Sequence, residues 1–367
     1  MSLGLYVHVP FCRKKCAYCD FYSVCDLSLR GAYVDALVRE LSAIEGFPSI
    51  DTIFVGGGTP SLLTIEQWLS LLGAIYTHFH LESNTEFTVE CNPESVDEAL
   101  LSHLSCLGVN RISIGVQSLD EAVLQVAGRV HTGAMALDAL RLASRYFDNV
   151  NADIIVGFPG DTPERVCAGL ARVIPYVHHI SVYALQLEEG TPLYRSVLSG
   201  AVSIPDEDTT ADLYQAAAEY LASKGFERYE VSNFALHGYA CRHNLNCWRY
   251  HPYVGVGAAA HGFEHGRRYY HPADLRAYIA DPLVRVAEDE ATLEERKFEM
   301  IMLGLRTTEG LDIARFNSLF GADFVNEYRD VLAEPLLKRM CILTPQRLSV
   351  TPENLYISNQ ITLRFMR

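Results

Sequence analysis

Three cysteines open the chemistry of this sequence. Cys12, Cys16 and Cys19 stand at a C-x3-C-x2-C spacing in CRKKCAYCDF, near the first residue. Disulfides use thiols in pairs, and a structural zinc site closes with four ligands. His8 or Cys25 could complete such a zinc site. The other reading is an iron–sulfur cluster, which usually takes four thiolates. With three, one iron stays open to a substrate or cofactor. The tight spacing favours this second reading, with the missing ligand as the working position.

Such a loop needs a scaffold. Strand-like stretches cover 3–9, 51–58, 86–91, 110–116, 151–158 and 178–185, and 227–234 offers a seventh. Helical stretches lie between them. Thr64 and Gln67 form a capping box ahead of Ile65, Trp68, Leu69, Leu72, Ile75 and Tyr76, which keep helical period. Ser95 and Glu98 repeat the box, Gly108 ends that helix, Thr162-Pro163 starts another, and a further helix covers 207–224. This alternation predicts an α/β fold, a partial (β/α)6-type TIM-like barrel over 1–235, with a doubly wound sheet as runner-up. Residues 236–289 are rich in Gly, His and Tyr and show little periodicity. From 290 to 367 helices precede RLSV and LYISNQITLRF, read as a terminal strand pair, so a helical, winged-helix-like domain is expected.

Barrels of this kind gather their functional groups where strands end. The cysteines follow the first strand, and Gly56-Gly57-Gly58-Thr59 follows the second. Glu90 and Asn92 end the third, Gln117 the fourth, Asp153 lies in the fifth, and Tyr183 and Gln186 close the sixth. The glycine run lacks the dinucleotide and P-loop spacings. Glu90 and Asp153 either pair with Arg111 or Arg129 or face a ligand's hydroxyl or amino groups.

Composition narrows the partners. The net charge of −15 argues against nucleic acid, and from 291 onward ten Lys/Arg balance ten Asp/Glu, so the helical end has no basic footprint. No apolar run is long enough to span a membrane and no secretory leader is visible, so a soluble cytoplasmic protein is expected. Cys91, Cys106 and Cys167 read as buried small hydrophobes.

The motifs then resemble a known family. CRKKCAYC resembles the signature of radical S-adenosylmethionine (SAM) enzymes. YVHVPFC, VGGGTPSLL, VECNP, RISIGVQS, GRVH, DIIVGFPGDT, YALQLEEGTPLY, YEVSNFA, CRHNLN, YVGVGAAAHG and LGLRTTEGLD resemble the oxygen-independent coproporphyrinogen III oxidase-like branch. The resemblance implies a [4Fe–4S] cluster on Cys12, Cys16 and Cys19 and a SAM pocket of Tyr6, Tyr18, Gly57, Gly58, Thr59, Glu90, Gln117, Arg129 and Asp153.

Within that family, true oxidases carry a further cysteine two residues after the third and an N-terminal extension. Here the position is Phe21, which matches the shorter branch of heme chaperones. That branch implies heme as cargo, recipient hemoproteins (some membrane-associated) and a one-electron donor protein. His243, in CRHNLN, is then the candidate heme ligand, with Cys247 and His261 as weaker alternatives and Arg242 or Arg249 for the propionates. Two other readings stay open: an oxidase acting on coproporphyrinogen III, and a radical enzyme with a different substrate.

Overall fold

A computed structural model describes residues 3–287 and 291–366. Its centre is a parallel run of β1 (Gly4–Val9), β2 (Ser49–Gly57), β3 (His80–Cys91), β4 (Arg111–Gln117), β5 (Val150–Val156) and β6 (His179–Ala184). These six neighbours follow chain order without reversal. A doubly wound sheet reverses at a switch point, so the order is that of a partial barrel.

Past β6 the possible seventh strand does not form as one piece. Residues 227–234 split into β7 (Glu227–Arg228) and β8 (Asn233–Ala235), and β8 runs antiparallel to β6. Between them Glu230 is fully buried and bridges to Thr307. On the other flank the weakly patterned stretch is ordered. β9 (Tyr253–Val256) lies parallel to β1, and β10 (His261–Glu264), β11 (Arg267–Tyr270) and β12 (Val286–Ala287) extend the sheet antiparallel. Backbone packing hid this from the sequence. A Cβ on Gly255 would lie 1.9 Å from the His261 carbonyl oxygen, so the strand keeps glycine where a β-branched residue would have marked it.

The helices bury apolar stripes against the sheet. Helix Ile65–His78 has the Thr64/Gln67 capping box and buries Trp68, Leu71, Leu72 and Ile75; Leu69 and Tyr76 face outward instead. Helix Glu98–Cys106 is capped by Asp97, whose carboxylate accepts from Leu100 N–H at 2.8 Å, not by Ser95, which lies in the preceding 3-10 turn. Cys106 is exposed at that helix's end and Cys167 is half-buried, so only Cys91 of the three is buried.

The C-terminal residues pack helices around Phe316, Phe324, Tyr328 and Phe365. A small antiparallel sheet completes them, with β15 (Arg347–Val350) between β13 (Leu311–Asp312) and β14 (Cys341–Leu343). LYISNQITLRF is helical rather than a strand, in turns Pro352–Ile357, Ser358–Thr362 and Leu363–Phe365. Leu355, Ser358, Ile361, Thr362 and Phe365 are its buried residues, a helical recurrence that β-branched composition disguised.

Candidate functional site

β1 feeds directly into the cysteine loop, which is tied at neck and tip. At the neck, Cys12 N–H donates to Val24 C=O at 3.0 Å and Val24 N–H to Pro10 C=O at 2.7 Å, over a fully buried Phe11. At the tip, Ala17 N–H donates to Ala127 C=O at 2.9 Å and Leu193 N–H to Ala17 C=O at 2.8 Å. The loop is thereby fastened to the segments that follow β4 and β6. The thiols face a cavity of about 510 Å³ at the strand ends.

Of the predicted site residues, Cys12, Cys16, Tyr18, Cys19, Gly57, Gly58, Glu90, Gln117, Arg129 and Asp153 all line this cavity. Thr59 joins them through Oγ1, which donates to Cys12 Sγ at 3.5 Å. Arg129 Nη1 donates to Cys16 Sγ at 3.3 Å, while its Nη2 is held by Asn92 Oδ1 at 2.6 Å and Gly115 C=O at 2.7 Å. Two thiols thus receive side-chain hydrogen bonds, Cys12 from Thr59 and Cys16 from Arg129. Gly57 has φ +105, and a Cβ there would come within 2.5 Å of the His8 ring, so the glycine run is required for the wall to close. Gln117 holds the left-handed region at φ 64, a strained end to β4 at the cavity.

Tyr6 stands outside the lining. Its hydroxyl donates to His8 Nδ1 at 2.9 Å, and His8 Nε2 donates to Tyr22 C=O at 3.1 Å. Sequence reasoning missed Ser113 and Gly115, which line the cavity. The signal was present: they alternate with Gln117 along β4, so the inward assignment of one fixes the others.

The cavity lining carries both signs, with Lys14, Lys15 and Arg129 beside Asp20, Glu90, Asp153 and Glu188. Glu90 accepts from Gly57 N–H at 3.0 Å, and Asp153 accepts from Ser113 at 3.1 Å and Asn151 at 2.9 Å. Among the described residues neither forms an ion pair with Arg111 or Arg129. Burial, then the neighbouring Asp153 charge, pushes Glu90 up to about 7, against the pull of Gly57 N–H and Arg111. Burial also raises Asp153. Burial raises Cys12, and pushes Cys19 up to about 11.

His243 is elsewhere. It starts the helix Arg242–Trp248, which sits against the opposite strand ends. Glu86 of β3 receives Arg242 N–H and His243 N–H, each at 2.9 Å, and Asp51 of β2 meets Arg242 at 3.4 Å. The His243 ring is buried, bonded through Nδ1 to Thr52 Oγ1 at 3.0 Å and packed on Phe54 at 5.3 Å between centroids. Thr52 and Gly57 are separated along β2, about 16 Å at strand rise, so this helix plugs the end remote from the cysteines.

The Radical SAM superfamily model matches residues 6–168 and the HemN C-terminal domain model residues 291–357. The fold matches the solved coproporphyrinogen III oxidase HemN of Escherichia coli, a radical SAM enzyme, with TM-score 0.85 and 21% identity over 100% of this chain and 90% of that one. Among curated sequences, "Heme chaperone HemW" of Lactococcus lactis is 33% identical over 98% of this chain and 96% of its own. "Heme chaperone HemW" of Mycobacterium tuberculosis is 36% identical over 91% and 88%. The chain belongs to the radical SAM superfamily, in the branch of these HemW proteins.

That family brings a [4Fe–4S] cluster and SAM, and the residues present fit both. Among the described residues no three His, Cys, Asp or Glu side chains converge on a single metal ion. A cluster makes no such demand, because each thiolate binds a different iron. The hydrogen bonds to Cys12 and Cys16 suit thiolate donors, and the unpaired carboxylates suit a ligand that carries an ammonium and a sulfonium.

Glu90 gives a pH prediction. Its folded pKa lies above its unfolded value of 4.5, so the folded state is penalised as pH rises from there to about 7. Glu90→Gln removes that penalty, which is at most about 3 kcal/mol. Thermal denaturation of the cluster-free protein should show the variant more stable above pH 7 and equal to wild type near pH 4. A difference that stays constant from pH 4 to 8 would contradict the assignment.

Proposed function

We propose that this chain is a heme chaperone that keeps a cluster and SAM in the barrel mouth and delivers heme to recipient hemoproteins, some of them at membranes. The observation that carries it is Phe21. Where the oxidases of the family carry a further cysteine, this chain places a phenylalanine that is 66% exposed at the cavity rim. The full-length likeness to proteins named heme chaperones supports the same reading.

A cluster held there would supply one-electron chemistry toward SAM, with the electron drawn from a donor protein. The chain's own residues do the rest. Cys12, Cys16 and Cys19 hold the cluster. Arg129, fixed by Asn92 and Gly115, presents a guanidinium to the SAM carboxylate. Glu90 would accept from its ammonium and Asp153 from ribose hydroxyls, while Gly57, Gly58, Gln117, Tyr18 and Thr59 shape the wall. Tyr6 acts one layer behind, through His8.

For heme, His243 keeps the candidate role. Burial holds its pKa down at about 4, so the ring is neutral at physiological pH, as a ligand must be. Because it is only 5% exposed, iron would reach it only with the helix Arg242–Trp248 moved off the barrel end. Cys247 is a poorer donor, since burial pushes its thiol up to about 11. Arg249 is engaged by Glu309 at 2.7 Å and Arg242 by Asp51 at 3.4 Å, so either must exchange a carboxylate to take a propionate. Among the described residues no helix is long and apolar enough to cross a membrane, so contact with a membrane-bound recipient is peripheral in this account.

The test is anaerobic incubation of the cluster-loaded protein with heme and, separately, with coproporphyrinogen III and SAM. Uptake of one heme per chain without protoporphyrinogen is expected; turnover of coproporphyrinogen would install the oxidase reading instead. His243→Ala should weaken heme uptake about tenfold or more, as expected for loss of an axial ligand, while iron and sulfide content stay unchanged. An unaltered heme titration removes His243 from the site.

A further inference from the structure

Asp153 is not held by its own strand alone. Behind it a chain of hydrogen bonds runs through the barrel interior to the far end. Cys241 N–H donates to the Tyr229 oxygen at 3.3 Å. Tyr229 meets His179 Nε2 at 2.8 Å, and His179 Nδ1 meets Asn151 Oδ1 at 2.6 Å. Asn151 Nδ2 donates to Asp153 Oδ1 at 2.9 Å and to Ser113 Oγ at 2.7 Å, and Ser113 Oγ donates to Asp153 Oδ2 at 3.1 Å. Asn151, Ser113 and His179 are buried, His179 completely.

With Asp153 ionised, the direction of every bond in this chain follows. An ionised carboxylate only accepts, so the Asn151 amide nitrogen must face Asp153 and its oxygen must face His179. His179 must then carry its proton on Nδ1. Its bare Nε2 accepts the Tyr229 hydroxyl proton, which leaves the Tyr229 oxygen free for Cys241 N–H. Burial and the nearby Arg111 hold the His179 pKa well down, so the ring stays neutral and keeps this tautomer. The polarity ends on the carboxylate at the cavity and begins at the residue before the helix that carries His243.

We infer that Asn151 and His179 are positioning residues, which fix the Asp153 carboxylate for the ligand of the cavity and tie its orientation, through Tyr229, to the start of the segment 241–248. The inference rests on the cavity being the SAM site. Neither residue touches the cavity, so neither is catalytic; each acts through Asp153.

Two measurements test it. In the first, SAM is titrated into anaerobically reconstituted wild type, His179→Leu and His179→Asn. Asparagine keeps a donor near the Nδ1 position, and leucine does not. The leucine variant should bind SAM about tenfold more weakly, the scale of one hydrogen bond to a charged group. The asparagine variant should recover to within about threefold on the same scale, with iron and sulfide equal in all three. Leucine at wild-type affinity, or leucine and asparagine equally weak, overturns the positioning role. In the second, ¹⁵N-histidine spectra of the wild-type chain, compared with those of His179→Asn for assignment, should show His179 protonated on Nδ1 from pH 6 to 8. Protonation on Nε2 overturns the inference without any ligand present. If wild type takes no SAM, the cofactor reading of the cavity fails, and the tautomer then decides the inference alone.

Discussion

Cys16→Ser protein, reconstituted with iron and sulfide in the absence of oxygen, is expected to remain colourless. The same result is expected for Cys12→Ser and Cys19→Ser. The thiolate is the ligand, and serine at neutral pH offers only a protonated hydroxyl. No fourth protein thiol stands by to substitute within the C-x3-C-x2-C loop, and each serine removes a third of the protein's grip. The loop itself should survive, because its neck and tip are tied by backbone hydrogen bonds of Cys12, Val24 and Ala17 that a serine side chain leaves alone. Circular dichroism therefore stays at the wild-type trace while iron and sulfide fall to background. Cys25→Ser, at an exposed residue outside the triplet, should load normally. Full iron in all three triplet variants would overturn the assignment.

The second large effect lies at the other end of the barrel. Glu86 is 7% exposed and accepts from Arg242 N–H, His243 N–H and Cys241 Sγ, the last at 3.4 Å. It also faces the buried Arg111, whose charge it helps to hold. Glu86→Ala leaves two backbone donors and the Cys241 thiol without their acceptor, and the buried Arg111 without a neighbouring negative charge. The expected loss is about 3–5 kcal/mol in urea denaturation at neutral pH. Glu86→Gln keeps an acceptor oxygen but not the charge and should lose less, about 1–2 kcal/mol. Glu82→Ala, exposed earlier on the same strand, should stay within about 0.5 kcal/mol. A Glu86→Ala chain as stable as wild type would show that the helix Arg242–Trp248 does not depend on this carboxylate.

The contrast between the two ends explains what was legible in the sequence. Strand ends carrying a cysteine, a glycine run, Glu90, Gln117 and Asp153 mark a cavity, because in a parallel barrel successive strand ends share one face. Thirteen of the residues expected there line it together, Asn92, Tyr183 and Gln186 among them. Tyr6 lies behind His8 because an inward residue early on β1 falls below the mouth by the strand's own rise. The far end was opaque. Nothing in the spacing of Glu86, Tyr229 and Cys241 shows that three distant segments meet, and a motif containing His243 does not reveal that its ring packs under Thr52. The flank built from β9 to β12 was hidden for a local reason, since Gly255 and Gly262 replace strand-marking side chains so that the His261 backbone and the Tyr269 ring can approach. The terminal segment misled through composition, as isoleucine and threonine at 357, 361 and 362 suit a strand yet lie in helical turns.

The central claim is that three thiolates leave one iron free for SAM. It is tested most directly by electron paramagnetic resonance of the anaerobically reconstituted, dithionite-reduced protein, recorded before and after addition of SAM. The account predicts the signal of a reduced [4Fe–4S] cluster whose g-values shift when SAM is added, with the shift lost in Glu90→Gln together with Arg129→Ala. A cluster spectrum that SAM leaves unchanged in the wild-type protein, or protein that loads zinc and no iron, would contradict it.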